Sequence, residues 1–77
     1  MIPIEILMAY CRADEDARDV VVDAAQDAGN FLMGLGADPA HPVYGKTLKA
    51  LTLHFFDHPE GGELSPALQK LLNTLKT

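Results

Sequence analysis

The stretch ARDVVVDAAQDAGNFLMGLG, residues 17–36, carries the strongest periodic signal in this chain of 77 residues. Its apolar residues recur every three or four positions over about five turns, the spacing of one helix face; they are Ala17, Val21, Ala24, Ala28, Phe31 with Leu32, and Leu35. Gly34 and Gly36 act as stop signals, because glycine readily adopts the left-handed conformation that ends many helices. The stretch predicts one long helix, against which the rest of the chain must pack.

A shorter helix is predicted before it. Pro3 suits a first helical turn, where its missing N–H costs nothing. The apolar side of this short helix would consist of Ile6, Leu7, Tyr10 and Cys11. Arg12 and Ala13 interrupt the pattern, and Asp14 is placed as the N-cap of the long helix.

Two more helices are predicted after the long one. Pro42 is placed at the start of the third helix, whose apolar positions are Tyr44, Leu48, Leu51 and Phe55. Pro59 and the pair Gly61–Gly62 would end it. Ser65 then serves as N-cap with Pro66 in the first helical position, and the apolar seam of the fourth helix comprises Leu68, Leu71, Leu72 and Leu75.

These elements predict an all-α fold, a single domain over residues 1–77 built as a small bundle of about four helices. The residues expected to anchor its core are Tyr10, Phe31, Leu51 and Phe55. A domain of this size buries only about 60% of the surface that its unfolded chain exposes. Oligomerisation is therefore expected to contribute to its stability.

The composition favours a soluble, acidic, cytosolic protein. Eleven acidic and six basic side chains give a net charge of -5, which argues against binding to the phosphate backbone of nucleic acids as the main activity. The single cysteine excludes an internal disulfide. The N-terminal sequence lacks the features of a signal peptide, and no apolar run approaches the roughly 20 residues that span a bilayer.

An acidic stripe on the long helix is the first candidate for a functional surface. Asp19, Asp23 and Asp27 lie four residues apart, with no basic residue three or four positions after any of them. Each like-charged pair costs a few tenths of a kcal/mol in an isolated helix. The stripe is either a solvated face or a negative surface that faces a channel, a subunit seam or a basic partner.

The two histidines of HFFDH, residues 54–58, are a second candidate. His54 and His58 have the spacing with which helices bind zinc, but Phe55 stands where a metalloprotease helix has its general-base glutamate. Asp57 is expected to point to a different face. Pro59 moves His58 out of the helical region. We therefore interpret both histidines as helix-end packing groups, with a metal-dependent enzyme as the alternative.

Two further features have a simple structural interpretation. Cys11 lacks a neighbouring base that would make it a nucleophile and is expected in the core. The leucine seam of the last helix is most simply core. It is also a candidate docking surface for a neighbouring subunit or a partner, since a terminal amphipathic helix can bind in a groove.

The order of three phrases resembles that of the head–tail connector, or adaptor, proteins of tailed bacteriophages and gene transfer agents. In that family a short helix ends in a Tyr-Leu-Arg-x-Asp phrase, which Tyr10–Asp16 resembles here with Cys11 in place of the leucine. A later helix ends in an aromatic phrase similar to Ala50–Glu60, and a leucine-rich segment like Leu64–Leu72 follows.

The resemblance implies a structural protein of the virion with no catalytic site and no cofactor. It would assemble in the cytoplasm of the bacterial host as a ring, typically a dodecamer, at the head–tail junction. Its partners would be other copies of itself, the portal protein and a stopper or tail-completion protein. DNA would pass through the ring without specific binding, and no membrane is involved. The alternative from the residues alone is a small acidic helical inhibitor or regulator that binds a basic protein partner.

Overall fold

The computed structural model describes residues 2–60 and 62–76, which form helices joined by turns, with no β-strand among them. The helices are α1 (Ile4–Cys11), α2 (Arg18–Leu35), α3 (Tyr44–Asp57) and α4 (Pro66–Leu75). A short 3₁₀ turn (Glu15–Ala17) leads into α2. The predicted all-α fold with a short first helix and a long second helix is confirmed.

The ends of α1 and α2 are closed by the same backbone arrangement. After α2, Gly36 adopts the left-handed conformation with φ of 82°, and the Ala37 N–H donates to the Leu32 carbonyl at 3.1 Å. After α1, Arg12 occupies the left-handed position with φ of 55°, and the Ala13 N–H donates to the Met8 carbonyl at 2.9 Å. Both are Schellman motifs, in which the turn satisfies carbonyls that the helix end leaves free.

Two predicted helix starts differ from the structure. Asp14 occupies the N-cap of the 3₁₀ turn, yet its carboxylate makes no capping hydrogen bond, and its backbone carbonyl accepts from the Ala17 N–H at 3.0 Å. The third helix begins at Tyr44, two residues after Pro42. Side-chain and backbone hydrogen bonds within the loop close the turn that precedes it. In one of them the Val43 N–H donates to His41 Nδ1 at 3.2 Å.

The third helix ends before the predicted glycines. His58 follows Asp57 as the C-cap with φ of -132° and ψ of 70°. Because a proline disfavours the helical region at the residue before it, Pro59 accounts for this conformation. Gly61 of the predicted Gly61–Gly62 stop lies outside the described residues, and Gly62 has a φ of 135°.

The start of α4 follows its sequence signature. Ser65 is the N-cap, its Oγ accepts from the Leu68 N–H at 3.2 Å, and Pro66 occupies the first helical position. Ser65→Ala is expected to lower the free energy of unfolding by about 1 kcal/mol, since it leaves a helical N–H without its acceptor. Denaturant unfolding of the purified protein measures the change. Ser65→Asp is the matched control and should retain most of the stability.

The core has two clusters, one at each end of the α2–α3 pair. One joins α2, α3 and α4 through the buried residues Ala28, Leu32, Leu51, Leu68, Leu72 and Leu75. The other joins α1 to α2 through Leu7, Met8, Cys11 and Val21, with Leu53 and Phe56 of α3 packed against it. Thus α2 and α3 form the centre of the bundle, with α1 packed on both of them and α4 packed on α3.

Two of the four residues predicted to anchor the core are not buried. Leu51 is fully buried and Phe55 is partly buried. Tyr10 and Phe31, by contrast, are 43% and 41% exposed. Each lies at the edge of its helix's apolar side, so the smaller neighbours Leu7 and Leu32 occupy the buried positions instead.

Two core positions of α3 are threonines. Thr47 and Thr52 are both fully buried. The Thr47 Oγ1 donates to the Val43 carbonyl at 2.8 Å, and the Thr52 Oγ1 donates to the Leu48 carbonyl at 2.7 Å. Because the helix backbone itself satisfies each hydroxyl, both residues can be buried without an unpaired polar group.

Candidate functional site

The acidic stripe of α2 lies on its solvent-facing side. Asp19, Asp23 and Asp27 are all exposed. Within residues 2–60 and 62–76, the ion pairs are those of Arg18 with Glu5 at 3.8 Å and with Glu15 at 3.1 Å. The three carboxylates of the stripe thus have no basic partner in the part of the chain that the structure describes.

Acidic and basic side chains are distributed unevenly along the chain. Residues 1–35 contain seven acidic and two basic side chains, whereas residues 36–77 contain four of each. The net charge of -5 therefore comes entirely from the segment that contains α1 and α2. An uneven charge distribution of this kind creates a directional field that favours oppositely charged partners.

Exposed apolar side chains lie beside the acidic stripe. Val20 is 51% exposed and Phe31 is 41% exposed. Val20 borders a shallow notch of about 160 Å³ together with Asp23, Asp27 and Phe55. Phe31 packs edge-on against Phe55 with 6.3 Å between ring centroids. We call this combined surface of Asp19, Val20, Asp23, Asp27 and Phe31 the α2 face.

A larger concavity of about 430 Å³ lies between α1, α3 and α4, and we call it the α3 groove. Residues of all three helices and the α3–α4 connection line it: Tyr10, Lys46, Ala50, Leu53, His54, Asp57, His58, Ser65, Ala67, Leu68 and Leu71. The Lys49 ammonium group lies 5.8 Å from the centroid of the Tyr10 ring, at the side of this groove. The groove therefore combines apolar surface with the side chain of Lys46, and Lys49 lies beside it.

Both histidines of HFFDH lie in this groove, with ring centroids 5.1 Å apart. Asp57 lines the same groove, so the prediction that it points to a different face is wrong. Residues separated by three and four positions share one side of a helix. Among the described residues, nonetheless, no group of three His, Cys, Asp or Glu side chains is arranged to hold a metal ion.

His54 carries the one buried side-chain nitrogen without a hydrogen-bond partner among the described residues, its Nε2. Its ring also packs edge-on against Phe55 at 5.6 Å between centroids. This arrangement explains the residue better as a packing group of the helix end than as a ligand, because no set of three ligating side chains is arranged around it among the described residues.

An unsatisfied buried polar atom makes a definite prediction about stability. We expect His54→Leu to raise the free energy of unfolding by about 1 kcal/mol, since it removes the desolvation cost of Nε2. Denaturant unfolding with and without added zinc measures it, and His58→Leu, at an exposed position, is the control. A marked loss of stability in His54→Leu, or a zinc-dependent rise in the wild-type protein, would instead indicate that Nε2 has a ligand.

Cys11 is buried in the α1 cluster. Burial raises the pKa of its thiol, and the negative charge of Asp57 raises it further. Because the thiolate is the reactive form of cysteine, both effects work against a nucleophilic role. The structure thus places Cys11 as a core residue.

The leucine seam of α4 is used within the molecule. Leu68, Leu72 and Leu75 are 4%, 7% and 1% exposed, so the prediction that they form a docking surface is wrong. Leu71 is only partly buried and lines the α3 groove. Sequence reasoning therefore missed the groove itself, because it forms from three helices that are distant in sequence.

None of the helices described within residues 2–60 and 62–76 is long and apolar enough to cross a membrane. Comparison of the chain with family models, with curated proteins and with solved structures gives no match. The α2 face and the α3 groove are therefore assigned from their own chemistry.

Proposed function

We propose that this protein is a head–tail connector of a tailed phage or a gene transfer agent, a structural protein that forms a ring beneath the portal. The order of the Tyr10–Asp16, Ala50–Glu60 and Leu64–Leu72 phrases supports the proposal, as does the all-helical fold that carries them. In this function the ring extends the DNA channel and joins the head to the next component of the tail.

The α2 face is the observation that carries this proposal. Its three carboxylates stand in a row on solvent, without basic partners among the described residues. Twelve copies of a chain with a charge of -5 carry about -60 in total, and an acidic wall repels the phosphates of DNA. A channel that DNA must traverse without sticking requires this property.

The first test is electron microscopy of the purified protein mixed with the portal of the same particle. A ring stacked against the portal is the expected result. A chain that stays monomeric or dimeric and leaves the portal bare would contradict the connector function.

The second test addresses the acidic channel directly. In particles that carry Asp23→Lys with Asp27→Lys, we expect DNA ejection to be slowed, because lysines would bind the passing phosphates. Asp16→Lys with Glu63→Lys is the matched control, since it changes the charge equally at exposed positions outside the α2 face. Equal ejection in both variants would contradict a channel position for this face.

The α2 face also favours a second candidate function, that of a small acidic regulator that binds a basic protein, as a mimic of DNA. This function requires a monomer or dimer that binds its target at low salt and releases it at high salt. The two functions differ in assembly, so the microscopy of protein with portal separates them.

A further inference from the structure

We propose that neighbouring copies of this chain meet along α2, where the first side of the helix in one copy packs against the second side in the next. The first side carries Val22 and Met33, and the second side carries Val20 and Phe31. We call this contact the α2 seam. The inference rests on the proposed function, in which copies form a ring and the acidic stripe lines its channel, and it adds which surfaces join the copies.

Exposed apolar side chains are concentrated on α2. Six large apolar side chains are exposed among the described residues. Four of the six belong to this helix: Val20 at 51%, Val22 at 36%, Phe31 at 41% and Met33 at 77%. Because removal of apolar surface from water drives association, α2 is the helix whose exposed surface gains most from an apolar partner.

The acidic stripe separates these four side chains into the two sides. With 3.6 residues per turn, each residue advances about 100° around the helix. The first side is thus centred about 90° from Asp23 in one direction, and the second side about 70° from it in the other. The buried side of α2 lies opposite the stripe. When the stripe faces a channel, the two apolar sides therefore face the two neighbours in the ring.

The two sides have the same spacing between their apolar residues. Val20 and Phe31 are 11 residues apart, and so are Val22 and Met33. Eleven residues make about three turns, or about 16.5 Å along the axis. Neighbouring α2 helices that run along a channel are parallel, so Val22 lies opposite Val20 and Met33 lies opposite Phe31. The rise of two residues offsets each pair by only about 3 Å, and the sides therefore match at two points.

The charges of α2 are compatible with this contact. Asp19 borders the first side and Asp27 borders the second, but they are separated by about 12 Å along the axis and do not oppose each other. Gln26 is exposed at the edge of the first side, within about 1.5 Å of the height of Asp27. Its amide can donate to the Asp27 carboxylate of the next copy, which keeps Asp23 open to the channel. An acidic chain can thus meet its own copy here without like charges in contact.

A second copy is the partner that uses both sides of α2. Two different surfaces that meet from copy to copy form a heterologous contact, which closes into a ring when the rotation between copies permits. A two-fold contact through the first side would instead place Met33 of one copy against Val22 of the other. It would leave Val20 and Phe31 uncovered. The α2 seam thus predicts head-to-tail association.

Cross-linking of mixed cysteine variants of the full chain tests the seam, with and without the portal of the same particle. We expect a short bis-maleimide to join Phe31→Cys to Met33→Cys in a covalent dimer, whereas each variant alone should give only background. The wild-type chain measures that background, because every variant retains the buried Cys11. Ile6→Cys mixed with Met33→Cys is the matched control, since Ile6 is exposed on α1.

Two results of this experiment would overturn the seam. One is a yield of the Phe31→Cys and Met33→Cys dimer no higher than that of the Ile6→Cys control. The other is more efficient cross-linking of Val22→Cys with Met33→Cys, which indicates a two-fold contact.

Met33→Gln tests the apolar part of the contact without changing the net charge. It is expected to weaken association at least tenfold in sedimentation velocity, because the side chain loses its apolar end and keeps its length. Ile6→Gln is the control and should associate like the wild-type protein, and circular dichroism checks that both variants retain their helices. Association of Met33→Gln equal to that of Ile6→Gln would also overturn the seam.

The outcomes for the seam and for the connector function can be separated. A ring on the portal without the expected cross-link overturns the seam and leaves the connector function standing. The expected cross-link in a protein that leaves the portal bare supports the seam and contradicts the connector function. If the wild-type protein neither associates nor binds the portal, both proposals fail.

Discussion

Leu51→Ala is expected to lower the free energy of unfolding by about 2–5 kcal/mol, the range for removing a buried leucine side chain. Leu51 is fully buried and packs in one cluster with residues of α2 and α4. Native domains are stable by only about 0.05–0.15 kcal/mol per residue. A loss of this size is therefore expected to leave a large fraction of so small a protein unfolded at room temperature.

Chemical denaturation followed by circular dichroism measures this loss. Met33→Ala is the control, because Met33 is 77% exposed and its truncation should change stability by no more than about 0.5 kcal/mol. A similar small effect for Leu51→Ala would contradict the described packing of α2, α3 and α4.

Leu72→Asp is expected to unfold the protein at neutral pH, which tests whether α4 belongs to the core of the single molecule. Leu72 is 7% exposed and packs in the same cluster as Leu32 and Leu51. A carboxylate buried there without a partner costs several kcal/mol. Folding should be partly regained as the pH falls towards about 4, because the aspartate is then increasingly protonated.

The control is Asn73→Asp, which introduces the same charge at the next position, where the side chain is exposed. It should change stability by only a few tenths of a kcal/mol. If Leu72→Asp behaved like this control and affected only assembly, α4 would be a docking arm, the alternative that the sequence left open, and not part of the core.

The sequence was most informative where apolar residues recur on one helix face over several turns. The apolar spacing of Val21, Ala24, Ala28 and Leu32 predicted both α2 and its buried side, and these residues are buried. The cap formed by Ser65 was likewise readable, since a serine followed by proline is a local signal of a helix start. Both features depend only on residues within a few turns of each other.

Burial of individual aromatic residues was less predictable. Phe31 and Tyr10 fit the apolar spacing, yet both rings remain substantially exposed because each lies at the edge of its helix face. Thr47 and Thr52 were not among the predicted core residues, yet both are completely buried, because the helix backbone satisfies their hydroxyls. The type of a side chain alone does not predict its burial, because burial depends on where the neighbouring helix lies.

The sequence by itself determined the four helices, the acidic stripe on α2 and the accumulation of negative charge in the first 35 residues. These properties follow from local spacing, capping and composition. Only the tertiary structure decided that α4 uses Leu68, Leu72 and Leu75 inside the molecule. It alone brought α1, α3 and α4 together around the α3 groove, because a concavity shared by three helices depends on how they pack and not on the order of residues in any one of them.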